Sequence, residues 1–154
     1  MNRFLLLILS VFLASCAATG NLFQKLDPPS PGQSVVYVFR TQNVTRSMDL
    51  SPGIAVNGKE VGALPLDGYL RIQVPAGATE VGMLNRIYLW PNGSPLRNVK
   101  LEARPGATHF VEFSVDSYRY VRGYGVNTSY IGVQLREVSE ETAMRFLPKL
   151  KDAN

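Results

Sequence analysis

The chain of 154 residues carries 16 basic and 12 acidic side chains, which give a formal net charge of +4. Because this excess is mild and the basic residues are scattered, we expect no nucleic-acid partner. Cysteine and histidine each occur once, which excludes an internal disulfide and a metal site built from several histidines. We therefore expect no metal, no cofactor and a fold stabilised by burial.

Residues 1–15 are predicted to be a signal peptide. One positive charge, Arg3, precedes an apolar run over residues 4–13 that only Ser10 interrupts. Ten helical residues span ~15 Å, about half of the ~30 Å hydrocarbon core, so the run is too short to cross a bilayer. The segment is expected to be removed.

The sequence Leu13-Ala14-Ser15-Cys16 resembles the bacterial lipobox. This resemblance implies that the Cys16 thiol receives diacylglycerol and that Cys16 becomes the first mature residue, held in the membrane by two or three acyl chains. The alternative is an ordinary cleavage near Ser15-Cys16-Ala17 that releases a soluble periplasmic protein. Ala17 replaces the aspartate that retains many lipoproteins in the inner membrane, so we expect the outer membrane, with the domain facing the periplasm; anchoring in the inner membrane is the other alternative.

Residues 16–33 are predicted to be a flexible tether that follows the lipidated cysteine. Their composition changes to Ala, Thr, Gly, Asn and Ser, with Pro28, Pro29 and Pro31, and as a coil they would span roughly 20–25 Å. Leu22, Phe23 and Leu26 could dock part of this segment onto the domain. The remaining residues, 34–154, are predicted to form a single β-rich domain.

The domain reads as short strands separated by turns, which predicts a mainly β fold, an antiparallel β-sandwich or barrel-like domain. Asn57-Gly58 predicts a type I′ hairpin turn. In residues 69–74, Leu70, Ile72 and Val74 should be buried while Tyr69 and its alternate neighbours face water. The later strands are expected at residues 79–90, 99–102, 108–115, 117–126 and 129–138.

The C-terminus changes to a helical period over residues 139–150. Ser139 can cap the helix, and Glu140 and Glu141 suit its positively polarised first turn. Pro148 should kink or shorten the helix, because proline lacks a backbone donor and disfavours helical geometry in the preceding residue. We expect a short helix that covers one end or edge of the β structure.

Five phrases in order resemble the small bacterial lipoproteins grouped as domain of unknown function 2846. They are VVYVFR (35–40), VNGKEVGAL (56–64), GY (68–69), PAG (75–77) and VSEETA (138–143). The resemblance covers most of the chain after the tether. It implies a β-rich envelope domain without an established activity, and therefore no catalytic residues.

His109 is the residue on which any catalytic triad would depend. Strand alternation puts it on the same side as Val111 and Phe113, with Glu112 on the other side, which disfavours a local His109/Glu112 pair. A histidine on an apolar face is more often a hydrogen-bonded core residue than a catalyst. No phosphate-binding glycine loop and no catalytic carboxylate pair is found.

The segment YRYVRGYG, residues 118–125, is the candidate binding face. In an unbulged strand Tyr118, Tyr120, Arg122 and Tyr124 would share one side, and such a side suits a glycan or protein partner. Alternatively, the tyrosines complete the core and Arg122 caps them. Gly123 and Gly125 could mark a bulge that changes the alignment.

These features predict a lipid-anchored protein of the bacterial cell envelope that binds the membrane through the lipid on Cys16. Its β domain is predicted to be a non-enzymatic binding or structural module with an envelope protein, glycan or lipid as partner. The alternative is an envelope hydrolase in which His109 acts with a serine and a carboxylate.

Overall fold

The structure, a computed structural model, describes residues 18–41, 51–84, 95–122 and 127–154. These residues form strands and one short helix near the C-terminus. The strands are β1 (Gln33–Arg40), β2 (Gly53–Val56), β3 (Lys59–Ala63), β4 (Gly68–Pro75), β5 (Gly77–Leu84), β6 (Pro95–Ala103), β7 (Thr108–Arg122), β8 (Asn127–Val138) and β9 (Lys151–Asp152). The helix α1 spans Glu140–Met144, and a 3-10 turn follows at Leu147–Lys149.

The strands form two sheets, which confirms the prediction of a mainly β, sandwich-like domain. One sheet has the order β8-β7-β1-β4-β9 and the other has the order β3-β2-β5-β6. The first sheet is not wholly antiparallel as predicted, because β7 runs parallel to β1 and β9 runs parallel to β4. β1 and β7 are parallel because the strands of the second sheet lie between them in the chain, which then returns to the start of β1 before β7 begins. At this point the Gly106 amide donates to the Gln33 carbonyl at 2.8 Å.

The main core lies between the two sheets and consists of aliphatic side chains with Phe113. The alternation predicted for β4 is found here, since Leu70, Ile72 and Val74 are all buried. Val99 and Leu101 of β6 belong to the same core. Its other members include Val36, Val38, Ile54, Leu64, Val81, Met83, Val111 and Val115.

A second core covers the outer face of the five-stranded sheet. It contains the β1 residues Val35, Tyr37 and Phe39, which point away from the first core. Tyr69, predicted to face water, is only 8% exposed here. That prediction was wrong because a third layer, made of the N-terminal segment and the C-terminal residues, lies over this face. The layer contributes Phe23, Ala143, Leu147 and Leu150.

The N-terminal part of the third layer is the segment predicted to be a flexible tether. Ala18 and Phe23 are 4% and 6% exposed, and the Phe23 amide donates to the Leu150 carbonyl at 2.9 Å. Leu26 packs against the same core, whereas Leu22 is 53% exposed. Burial of these side chains contributes favourably to folding, so the described part of the segment lies against the domain at Ala18, Phe23 and Leu26.

The hairpin turn at Asn57-Gly58 is confirmed. Both residues have positive φ, 50° and 79°, as a type I′ turn requires, and Val56 pairs with Lys59 on either side of it. The Asn57 side-chain oxygen also accepts a hydrogen bond from the Glu80 amide at 2.8 Å. The turn is thereby fixed to β5 of the same sheet.

The C-terminal helix begins as predicted but is shorter than residues 139–150. The Ser139 hydroxyl accepts from the Thr142 amide at 3.3 Å and caps α1, which ends at Met144. Pro148 lies in the separate 3-10 turn. Proline cannot donate to the preceding turn and its ring obstructs α-helical continuation, so the chain tightens into the 3-10 turn and then enters β9.

Candidate functional site

His109 forms a pair with a carboxylate that sequence reasoning did not consider. Its side chain is 15% exposed, and its Nδ1 atom lies 2.8 Å from Oε1 of Glu137 on β8. Glu137 stands opposite Val111 in the β7–β8 register and is therefore the diagonal neighbour of His109 on the same face. The pair follows from the register of the β7–β8 hairpin. Sequence reasoning could find it only by placing the β7–β8 turn correctly, because the position of the turn sets that register.

Glu112, the carboxylate nearest to His109 in sequence, is engaged elsewhere. Its side chain is 6% exposed, and its Oε2 accepts from Nε and Nη2 of Arg136, both at 2.8 Å. Its Oε1 accepts from the Thr41 hydroxyl at 3.0 Å. The expectation that His109 and Glu112 do not form a pair is confirmed. We call Glu112, Arg136 and Thr41 the Glu112 cluster.

The His109–Glu137 pair supplies two parts of a triad but no nucleophile among the described residues. In a triad, one ring nitrogen meets the carboxylate and the other accepts the serine proton. His109 Nε2 is buried and has no hydrogen-bond partner in this part of the chain. Ser34, on the β1 strand beside β7, is fully buried and its hydroxyl donates to the Arg104 carbonyl. Among the described residues, His109 therefore has a carboxylate partner at Nδ1 and no serine at Nε2.

β7 and β8 form a long antiparallel hairpin, and its distal part is the region of the candidate binding face. Sequence patterns predicted two strands in residues 108–126, whereas the structure has one, Thr108–Arg122. β1 pairs with β7 only as far as Arg40 opposite Phe113. Residues 114–122 of β7 pair with residues 127–134 of β8 beyond that point. We call residues 114–122 and 127–134 the hairpin arm.

The hairpin arm contains a bulge between Val115 and Ser117, upstream of the predicted face. From Tyr118 to Arg122 the register with β8 is uninterrupted. Positions 118, 120 and 122 therefore alternate along the strand with positions 119 and 121, as the prediction of an unbulged strand requires. Because one extra residue reverses the alternation of a strand, these positions do not continue the alternation that begins at Phe110. Tyr124 lies outside the described residues. Whether the four residues form a binding face stays a prediction.

The predicted lipidation site, Cys16, also lies outside the described residues, as does the signal peptide. The first described residue, Ala18, donates from its amide to the Leu66 carbonyl at 3.2 Å, and the Gly20 amide donates to the Asp152 carbonyl at 3.2 Å. At most two Cα–Cα steps, ~7.6 Å, separate Cys16 from Ala18.

Metal binding and membrane crossing are two further possibilities for the residues in the described ranges. No group of three or more His, Cys, Asp or Glu side chains there could hold a metal ion. In the same ranges, no helix has the length and apolar character needed to cross a bilayer.

Comparison with known proteins gives no match: no family model, no curated protein and no solved structure is significantly similar to this chain. The resemblance to domain of unknown function 2846 therefore stays an expectation from the five sequence phrases.

Proposed function

We propose that this chain is a lipid-anchored protein of the bacterial cell envelope, attached to the outer membrane through Cys16 and facing the periplasm. Its β domain acts as a non-enzymatic binding or structural module. The observation that carries the proposal is Leu13-Ala14-Ser15-Cys16 directly after a short apolar run, with the only cysteine of the chain at the lipidation position.

The docked N-terminal segment supports this proposal. A lipid on Cys16 holds the domain essentially permanently, because each buried CH₂ contributes ~0.8 kcal/mol and several acyl chains are present. The chain after Ala17 is already part of the third layer, so little free chain separates the lipid from the domain. Such an arrangement suits a module that works at the membrane surface.

The test is Cys16→Ser in the full chain, expressed in bacteria fed a labelled fatty acid. Lipid labelling should disappear and the precursor should remain unprocessed by the lipoprotein peptidase, because serine has no thiol to accept diacylglycerol. Ser15→Ala, which keeps a small residue before the cysteine, is the control and should label normally. Membrane fractionation of the same cells tests the outer-membrane location. Persistent labelling of Cys16→Ser would refute the proposal.

A hydrolase centred on His109 is the second candidate, and the 2.8 Å contact with Glu137 favours it. It requires a serine that the described residues do not bring to Nε2. A serine-reactive fluorophosphonate probe distinguishes the two functions. Labelling that is lost in His109→Gln would support the hydrolase, and absence of labelling in the wild-type chain would reject a serine hydrolase.

A further inference from the structure

The N-terminal segment and the hairpin arm both lie at one end of the sandwich, and together they determine how the domain would be oriented at a membrane. In the five-stranded sheet, Phe39 near the end of β1 pairs with Tyr69 near the start of β4, and Tyr69 pairs with Asp152 of β9. In the other sheet, Gly53 pairs with Ala63 and with Leu84. Since β3 leads directly into β4 at Gly68, these pairs all lie at the same end, which we call the anchor end.

The N-terminal segment reaches the domain at the anchor end. The Ala18 amide donates to Leu66, two residues before β4, and the Gly20 amide donates to Asp152. Cys16 can lie no more than ~7.6 Å from Ala18, which is comparable to the thickness of one headgroup layer, ~5–7 Å. A lipid on Cys16 therefore holds the anchor end, and not the opposite end, against the bilayer.

The distal part of the hairpin arm leaves the sandwich at the anchor end as well. β7 runs parallel to β1, reaches Phe113 opposite Arg40, and continues to Arg122. Val115 still belongs to the main core, so the strand beyond it is residues 116–122, which at ~3.4 Å per residue correspond to ~24 Å. The opposite end, which we call the far end, contains Gln33 paired with Pro75 and Gly77 paired with Ala103.

We propose that the hairpin arm contacts the lipid surface to which Cys16 is anchored, so that the bilayer is the partner of the segment around Tyr118, Tyr120 and Arg122. This inference rests on the proposed lipidation of Cys16. The hairpin arm and the N-terminal segment that leads to Cys16 are at the same end of the domain. A domain held to the bilayer by a lipid on Cys16 therefore has the hairpin arm on the side of the membrane. Val121 within the arm is 37% exposed although it is apolar.

The composition of the arm suits an interface between lipid and water. It contains Tyr118, Tyr120 and Tyr130 together with Arg119 and Arg122. Tyrosine is enriched at the headgroup level, where its ring meets apolar matter and its hydroxyl meets water. Arginine is attracted electrostatically to the anionic headgroups of a lipid surface. The arm therefore combines both kinds of side chain that favour this location.

The test places a photoreactive residue in the full chain in bacterial cells. p-Benzoylphenylalanine replaces Val121 in the arm or, as the matched control, Glu102, an exposed strand residue of β6 near the far end. After irradiation, mass spectrometry should find lipid adducts at position 121 and none above background at position 102. Lipid adducts at neither position, or equally at both, would overturn the proposal. A protein or glycan adduct at position 121 in place of lipid would also overturn it and identify that partner.

The same samples separate this inference from the proposed function. The mass of the N-terminal peptide reports whether Cys16 carries a lipid. If it does and position 121 captures no lipid, the anchor stands and the orientation is wrong. If Cys16 is unmodified, its thiol is coupled to a maleimide lipid in vesicles of phosphatidylethanolamine and phosphatidylglycerol, and adducts at positions 121 and 102 then decide the orientation independently.

Discussion

At the scale of single residues, the Glu112 cluster buries a carboxylate that needs hydrogen-bond partners. The residue Glu112 is only 5% exposed, and burial of a carboxylate without partners would strongly destabilise the fold. Arg136 and Thr41 supply three hydrogen bonds to its two oxygens. The Arg136 side chain remains 58% exposed, so its charge keeps contact with water while it neutralises the carboxylate.

Arg136→Met is expected to lower the free energy of unfolding by about 2 kcal/mol, because Glu112 loses its cationic partner while it stays buried. Arg145→Met is the matched control, since it removes an exposed pair with Glu141 within one helical segment. That change should cost less than about 0.5 kcal/mol. Urea denaturation of both variants measures the difference. Equal effects would show that burial of Glu112 does not depend on Arg136.

Tyr69 is expected to make stability fall at alkaline pH. Burial raises the pKa of its phenol, and the carboxylate of Asp152 raises it further. The folded protein therefore holds the phenol proton more tightly than the unfolded chain, so the resulting stability is complete below a pH of about 10 and is lost as the pH rises through the raised value.

The check is the melting temperature of the wild type and of Tyr69→Phe, measured across the same alkaline range. Phenylalanine keeps the aromatic contacts with Phe23 and Tyr37 but has no proton to lose. The alkaline decline should be shallower in Tyr69→Phe. Curves that remain parallel would argue that Tyr69 does not cause the decline.

At the scale of elements, the Asn57-Gly58 hairpin was predictable because its turn depends on local backbone geometry alone. Gly58→Val puts a β-branched residue at φ 79° and is expected to cost about 1–3 kcal/mol. Its added Cβ atom would meet nothing within 4 Å, so the cost comes from the backbone and not from a clash. Lys59→Val, at an exposed strand position beside the turn, is the control and should leave the melting temperature nearly unchanged. An unchanged melting temperature in Gly58→Val would contradict the type I′ geometry.

The C-terminal helix and the β7–β8 hairpin were only partly predictable. Ser139 correctly marked the start of α1, since capping is a local interaction. The predicted helix was too long because the apolar spacing of residues 143–150 continues past Met144. There the apolar Leu147 is buried by a 3-10 turn and not by the α-helix. The bulge at Val115 and Ser117 has no comparable signal, because it depends on pairing with β8.

At the scale of the whole molecule, the third layer makes the N-terminal segment part of the domain. The Phe23 ring contacts Tyr37 and Tyr69 edge-on, with ring centroids 5.9 and 5.6 Å apart. This packing joins the segment to the adjacent strands β1 and β4 of the five-stranded sheet. Within the described residues, the segment before Ser34 therefore packs as part of the third layer from Ala18 onward.

Phe23→Ala is expected to lower the free energy of unfolding by about 3 kcal/mol, because it leaves a cavity over the sheet. Leu22→Ala is the control, since Leu22 is 53% exposed, and should cost less than about 0.5 kcal/mol. Thermal or urea denaturation of the two variants provides the comparison. If Phe23→Ala were as stable as Leu22→Ala, the segment would behave as the tether that its composition suggested.

The sequence by itself determined the positions of most strands, the type I′ turn, the helix start and the two sides of β4 and β6, because these follow from local backbone preferences and from a period of two. Only the tertiary structure decided the parallel pairing of β1 with β7, the contact of His109 with Glu137 and the burial of Tyr69. Alternation indicates which residues share a face of a strand, but it does not say which segment, distant in the chain, will cover that face.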